Sequence, residues 1–520
     1  MINLKSLNID YLLVNTTNEF LLEYAPIEEN SCHKLTGFTG DTGDSLLCPD
    51  GKALLFVDGR YHTQADQEVD QNKVHVVKLE LGQKQDDAIC ENIAPGSTIG
   101  IVAKKVSQKR LEYLEALLKV IDVKIRLLDN DPFEEVSTSK TTTADILPIS
   151  LTGLSFSDKI KTLEKPVLLT NSEEISYLCN LRDFSQTNAV KIDGKLLITE
   201  NGSTLYTNAL ISANTEFVVK PLKEFEQVKC EKVRVDKTTI NAHDFSKITE
   251  PVICQSPVKQ MKAVKNKAEI EHLKYCFKMT DKALTATREF IMNNDNLSEY
   301  DIDKELERNF KLFGAKSLSF KSIVARNQNS ALAHYMKSSK DEILKEGDLI
   351  LIDCGAYYEG GLATDITRVF VKGNPNDEQK RVYTTVLKMF LNAFNYKVTE
   401  NKTTGFDIDN LTREYLENNK AEGYAFSHGL GHGIGVCVHE APPNLSKNEI
   451  AKTPIKNNMC FTIEPGLYNE KTFGVRLENS CYLENGVIKS FTNMCYEKSL
   501  INYDMLTETE KKWLSEFEVK

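Results

Sequence analysis

The 520-residue chain reads as two α/β domains followed by an α+β domain, and three features of its texture carry that reading. Short apolar runs punctuated by glycine alternate with helical periodicity up to about residue 125, and the same style repeats up to about residue 255. Near residue 259 a lysine-rich stretch leads into a long amphipathic helix, beyond which helical patterns are separated by strand-like alternation. The expected domains are therefore residues 1–125, 126–255 and 256–520.

In the first block, 11–15 and 53–57 read as strands, glycines 37, 40, 43, 51 and 59 as turns, and 108–120 as a helix. The second block places strands at 166–170, 195–199 and 203–206 and a helix at 173–180, which makes the two blocks candidate structural cousins without a sequence repeat. The third opens with Lys259, Lys262, Lys265 and Lys267, followed by Ile270, Leu273, Phe277 and Leu284 at helical spacing. Helices are expected again at 378–394 and 408–416, packed on an antiparallel sheet.

Composition narrows the class of function. The chain is 41% hydrophobic and 27% charged, enough for a sizeable core in two or three domains. A net charge of −11 argues against a nucleic-acid binder, which would carry a basic surplus. No run of about 18 apolar residues suggests a membrane span, and the first residues lack the basic and apolar regions of a signal peptide. Twelve scattered cysteines without a CxxC spacing fit a reducing compartment, so the expected location is cytoplasmic.

The chemistry concentrates in the third domain. The run Leu349-Ile350-Leu351-Ile352-Asp353 reads as a buried strand ending in a carboxylate, and Ala363-Thr364-Asp365-Ile366-Thr367-Arg368 as a second strand carrying another. A turn at Glu359-Gly360-Gly361 would let the two aspartates face one another across a hairpin. Either aspartate alone would more often be a turn or surface residue. The odds change with Ser427-His428-Gly429-Leu430-Gly431-His432-Gly433 and the following Val438-His439-Glu440: three histidines in twelve residues, interleaved with glycine, are poor core material and suit side chains converging on an ion. Alternation in 459–466 and 474–479 adds Glu464, Arg476 and Glu478 at polar strand positions. The resulting set is Asp353, Asp365, His432, Glu464 and Glu478. Four carboxylates brought together repel one another unless cations neutralise them. Two divalent ions would do so, and an oxygen-rich set with one imidazole favours Mn²⁺, with Co²⁺, Fe²⁺ or Zn²⁺ as alternatives.

These residues resemble the metallopeptidase family that holds methionine aminopeptidase, prolidase and aminopeptidase P, with its pita-bread fold. The matching signatures are Asp353…Asp365-Ile-Thr-Arg, His428-Gly-Leu-Gly-His432-Gly, Glu464-Pro-Gly and Arg476-Leu-Glu478, in the family's order. Outside them, 35–40, 57–61, Leu178-Cys179-Asn180-Leu181-Arg182 and 506–514 resemble the creatinase-like domains and tail of three-domain Xaa-Pro aminopeptidases. The resemblance implies that Asp353 binds one ion, that His432 and Glu464 bind the other, and that Asp365 and Glu478 bridge. It also implies that Glu464 is the general base, that His439 steadies the carbonyl oxygen, that His334 contacts substrate, and that His428 and Arg476 shape the proline side of the cleft. A lone His334 would otherwise read as structural. Peptides with proline in second position are the implied substrates, and a homodimer the implied assembly. One departure is visible: Asp353 and Asp365 stand twelve positions apart, one more than the family pattern, a surplus the Gly360-Gly361 pair is expected to absorb as a bulge.

Two rival readings differ in kind. A prolidase acting on Xaa-Pro dipeptides could use the same ligands, but chain length and Asn180-Leu181-Arg182 favour the aminopeptidase. A metal-free binding module of the same fold would be expected to have lost ligands, and all five are present.

Overall fold

The computed structural model describes residues 2–80, 82–134, 142–211 and 213–518. They divide into two compact units. One comprises Met1–Ala144, Phe156–Cys179 and Ile192–Pro257; the other comprises Asp145–Ser155, Asn180–Lys191 and Val258–Lys520. Two short pieces of the 126–255 block thus group with the C-terminal unit.

The first unit holds two six-stranded sheets. One runs Val74–Lys78, Ala53–Val57, Asp44–Leu47, Tyr11–Val14, Thr98–Val102, Lys124–Leu128; the other runs Val218–Pro221, Gly202–Thr207, Gly194–Thr199, Val167–Leu169, Arg234–Val235, Val252–Ile253. Numbered within each sheet, both have the strand order 4-3-2-1-5-6. Both also have the same alternation, with antiparallel central pairs flanked by parallel ones. The kinship expected from texture is therefore topological. The helix Gln108–Val120 starts where the Ser107 side chain accepts from the Arg110 amide and buries Leu111, Leu114 and Leu118, one turn apart.

In the second unit the run beginning at Leu349 becomes the strand Leu349–Cys354, buried along its length between Ile323–Arg326 and Ile366–Val371, both antiparallel to it. Its alternate residues face two cores. Leu349 and Leu351 join Val369 and Val371 against the helix Asp377–Phe394, whereas Ile350 and Ile352 join Ile366 and Phe370 against the helices Lys267–Asn293 and Glu299–Leu312. A strand covered on both faces has no polar side, which is why this sequence is continuously apolar. Capping boxes at Asn266/Glu269, Ser298/Asp301, Asn376/Gln379 and Thr404/Asp407 start the four long helices.

The antiparallel strands form several short ribbons where the sequence suggested one sheet. A second three-stranded ribbon joins Cys460–Ile463, Asn479–Glu484 and Val487–Ser490; Gly466–Tyr468 pairs with Gly474–Arg476, and Gly431–His432 with Asn444–Leu445. The breaks fall at the polar residues of interest. Asp365 precedes its strand, Glu464 follows one, Glu478 lies between two, and His432 ends another. Among the described residues no helix is long and apolar enough to cross a membrane, and all twelve cysteines are unbridged.

Candidate metal centre

Register decides how the first two carboxylates meet. Asp353 pairs with Thr367, not with Asp365. Asp365 stands two residues away on the same face, so the aspartates meet diagonally. The longer turn between them closes with the Gly361 amide donating to the Tyr358 carbonyl (2.8 Å) and Tyr357 bridging to Ala363. It is braced from outside: the Gly360 amide donates to His272 Nε2 at 3.0 Å, and Arg182 Nε donates to the Gly361 carbonyl at 2.9 Å.

His432 reaches the aspartates because glycine flanks it. A Cβ at Gly431 would lie 2.0 Å from the Thr462 carbonyl oxygen and one at Gly433 1.9 Å from that of Glu440, contacts that no side chain could make. The imidazole Nδ1 donates to the Gly433 carbonyl (3.0 Å), so Nε2 carries the lone pair. That Nε2 lies 3.5 Å from both Asp365 Oδ2 and Glu464 Oε1. Asp365, His432 and Glu478 each present a ligand atom within 4.8 Å of the others. Asp353 joins the group through Arg476, whose Nη2 is 2.6 Å from Asp353 Oδ2. The other oxygen, Asp353 Oδ1, is buried without a hydrogen-bond partner.

Electrostatics calls for a cation here. Burial, then the neighbouring Glu478, Asp353 and Glu464 carboxylates, push Asp365 well above its usual range. Burial and Glu478 do the same to Glu464, and burial and Asp353 push Glu478 up to about 8. An acceptor-only donor set, a lone-pair imidazole and an orphaned carboxylate oxygen fit divalent ions.

Outer contacts hold these groups in place. Thr367 Oγ1 donates to Glu478 Oε2 (2.7 Å) and accepts from Arg476 Nε (3.2 Å), and Ser480 Oγ donates to the Asp365 carbonyl (2.8 Å). Arg476 Nη1 also donates to the Tyr468 hydroxyl (2.8 Å), which bonds His428 Nε2 (2.7 Å), while His428 Nδ1 donates to the Gly429 carbonyl (2.8 Å). His428 Nδ1 lies 4.0 Å from Glu464 Oε2. The His439 ring stands edge-on to His432 with centroids 4.3 Å apart. Its neighbour Glu440 is buried, paired with Lys265 and, at 3.4 Å, with Lys262. Burial alone would raise Glu440, but the two lysines hold it below its usual range.

His334 is half-buried on the segment after the short helix Asn327–Ala331. Ser330 of that helix exchanges hydrogen bonds with Gly474, two residues from Arg476. The structure thus gathers Asp353, Asp365, His432, Glu464, Glu478, Arg476, His428 and His439 around one centre, and holds His334 on a segment tied to the Arg476 strand. Sequence reasoning missed Thr367, Tyr468 and the Glu440–Lys265–Lys262 cluster. Thr367 carried a signal, since it shares the face of Asp365; Lys262 and Lys265 read only as a change of texture.

Comparison sets the chain beside known proteins. Residues 271–485 match the model of metallopeptidase family M24, and residues 3–129 that of the creatinase/prolidase N-terminal domain. A protein of Laccaria bicolor named a probable Xaa-Pro aminopeptidase P is 28% identical over 99% of this chain and 87% of its own. Xaa-Pro aminopeptidase 1 of Dictyostelium discoideum is 26% identical over 99% and 90%. Among solved structures, the X-prolyl aminopeptidase of Caenorhabditis elegans, described as a cytosolic enzyme with a di-nuclear active site, superposes with a TM-score of 0.87. It shares 23% identity and covers 98% of this chain and 90% of that one.

Proposed function

We propose that this chain, whose residues 271–485 belong to metallopeptidase family M24 behind a creatinase/prolidase N-terminal domain, is an Xaa-Pro aminopeptidase releasing the first residue of peptides with proline in second position. The observation that carries the reading is the convergence of Asp365, His432 and Glu478 within 4.8 Å, in a chain aligned along 99% of its length with proteins of that name.

In this reading Asp353 would hold one ion, His432 and Glu464 the other, and Asp365 and Glu478 both. Two divalent ions held there supply Lewis acidity toward the scissile carbonyl and lower the pKa of water. Glu464 takes the proton of the attacking water on a carboxylate oxygen and hands it to the leaving proline nitrogen. His439 steadies the carbonyl oxygen as charge develops, and His334 contacts the substrate. Arg476, committed to Asp353, Thr367 and Tyr468, shapes the proline side of the cleft through the Tyr468–His428 chain.

The finer features follow from the same reading. Mn²⁺ is the proposed metal because four carboxylates and one imidazole make an oxygen-rich set. A cytoplasmic location draws support from the worm enzyme's description as cytosolic. The division at residues 1–125, 126–255 and 256–520 rests on the change of texture along the sequence, and a homodimeric assembly on the family resemblance. The test is a matched series, Arg-Pro-Pro, Arg-Ala-Pro and Arg-Pro, offered to the Mn²⁺-loaded protein with Glu464→Ala as control. Cleavage confined to Arg-Pro-Pro and lost in the variant is the expected result; preference for Arg-Pro would make the enzyme a prolidase.

A further inference from the structure

His334 is a substrate-contacting candidate on an irregular segment, so something must hold that segment still. The structure has such an anchor in Glu299, the first residue of the helix Glu299–Leu312, whose side chain is wholly buried. Its carboxylate accepts four hydrogen bonds, all from the chain that carries His334. Oε1 accepts from the Arg326 amide (2.6 Å) and Asn329 Nδ2 (3.0 Å); Oε2 accepts from the Tyr335 hydroxyl (2.7 Å) and the Ser339 amide (3.0 Å). The four donors lie on both sides of His334, and Tyr335 is the next residue. Backbone bonds continue the clamp, with the Glu299 amide donating to the Glu342 carbonyl (3.2 Å) and the Tyr300 amide to that of Ser339 (3.1 Å). The far end of the segment is tied separately, because Asn327 bonds both Asp348 (2.7 Å) and the Leu349 amide (2.9 Å) at the start of the strand bearing Asp353.

We infer that Glu299 is a positioning residue for catalysis: its carboxylate fixes the 326–339 segment on the helix N-terminus and so aims His334 at the substrate. Four donors meeting two oxygens leave no room for a neutral substitute. In Glu299→Gln one oxygen becomes an NH₂ group that faces two donors, and whichever pair it meets loses at least the bond from its backbone amide, which cannot accept. The loss is costly at the position itself, since the Glu299 side chain is 0% exposed and a substituted amide there has no water to turn to.

The inference rests on the proposed role of His334, and a double-mutant cycle separates the two. Steady-state cleavage of Arg-Pro-Pro is measured for the Mn²⁺-loaded full chain, Glu299→Gln, His334→Ala and the double variant, with bound metal determined for each. Glu299→Gln is expected to lower kcat/KM on the order of tenfold with His334 present and less than about twofold once His334 is alanine, a coupling typical of groups acting as one unit. Metal content stays at the parent value throughout. An equal loss in both backgrounds, or loss of metal in Glu299→Gln, overturns the positioning role. Full activity in His334→Ala refutes the role of His334 and the inference with it, and a parent inactive on Arg-Pro-Pro refutes the aminopeptidase reading instead. Should Glu299→Gln fail to fold, Tyr335→Phe removes one of the four bonds while keeping the ring, and its coupling to His334 decides the question by the same criterion.

Discussion

Replacing Lys265 by methionine tests the buried charge cluster behind His439. Glu440 is 1% exposed and Lys265 3%, and Glu440 also accepts from the Val436 amide at 2.9 Å. Methionine keeps most of the lysine's length and removes its charge, leaving Glu440 with Lys262 at 3.4 Å. Removing one partner of a buried pair costs about 3–5 kcal/mol, because the other charge is stranded. With Lys262 still present the lower end applies, about 3 kcal/mol. For a unit of this size that lowers Tm by roughly 5 °C. Calorimetry at pH 7 gives the number, and the Lys265→Met/Glu440→Gln double variant should recover part of it by removing the stranded charge. The sign of the pH dependence follows from Glu440, whose folded-state value lies below its usual 4.5. The unfolded chain then binds more protons, so the stabilisation is complete above pH 4.5 and fades as the pH falls toward the folded-state value. The gap in Tm between parent and variant should narrow in acid. A shift under about 2 °C at pH 7, or strict additivity in the double variant, would refute the reasoning.

Thr367→Val deletes the donor to Glu478 and the acceptor for Arg476 Nε, and is expected to weaken metal binding by about 10–100-fold, read by competition with a chelator. In metal-free protein, Glu478 binds its proton more tightly folded than unfolded, so stability should fall as the pH rises from its ordinary 4.5 through about 8. Melts of the chelated protein at pH 5 and 8 should show that decline, and Mn²⁺ should abolish it. Gly433→Ala places a methyl 1.9 Å from the Glu440 carbonyl oxygen, a backbone atom. It should displace both His432 and the Glu440 loop and reduce bound metal below one ion per chain, measured by elemental analysis.

Much of this centre was legible because its constraints are local. The 349–352 run is apolar because both faces meet a core, and glycine surrounds His432 because the Thr462 and Glu440 backbones pass within 2.0 Å of where a Cβ would stand. What stayed hidden depends on long-range register. Asp353 pairs with Thr367, so the aspartates meet diagonally, which spacing alone could not reveal. Lys262 and Lys265 look like any exposed lysines until Glu440, 175 residues beyond Lys265, arrives to pair with them. Glu299 looks like an ordinary acidic residue in the first turn of a helix, and only the packed structure shows four donors converging on it. The kinship of the two N-terminal sheets likewise lies in strand order and pairing sense, which tolerate wide divergence of sequence.

The most direct test of the central claim is to titrate chelated, metal-free protein with Mn²⁺ while following cleavage of Arg-Pro-Pro and counting bound ions. The account predicts no cleavage without metal and a plateau at two ions per chain, with neither binding nor cleavage restored in Asp365→Asn. Full cleavage by the metal-free protein, or none at any loading, would contradict it.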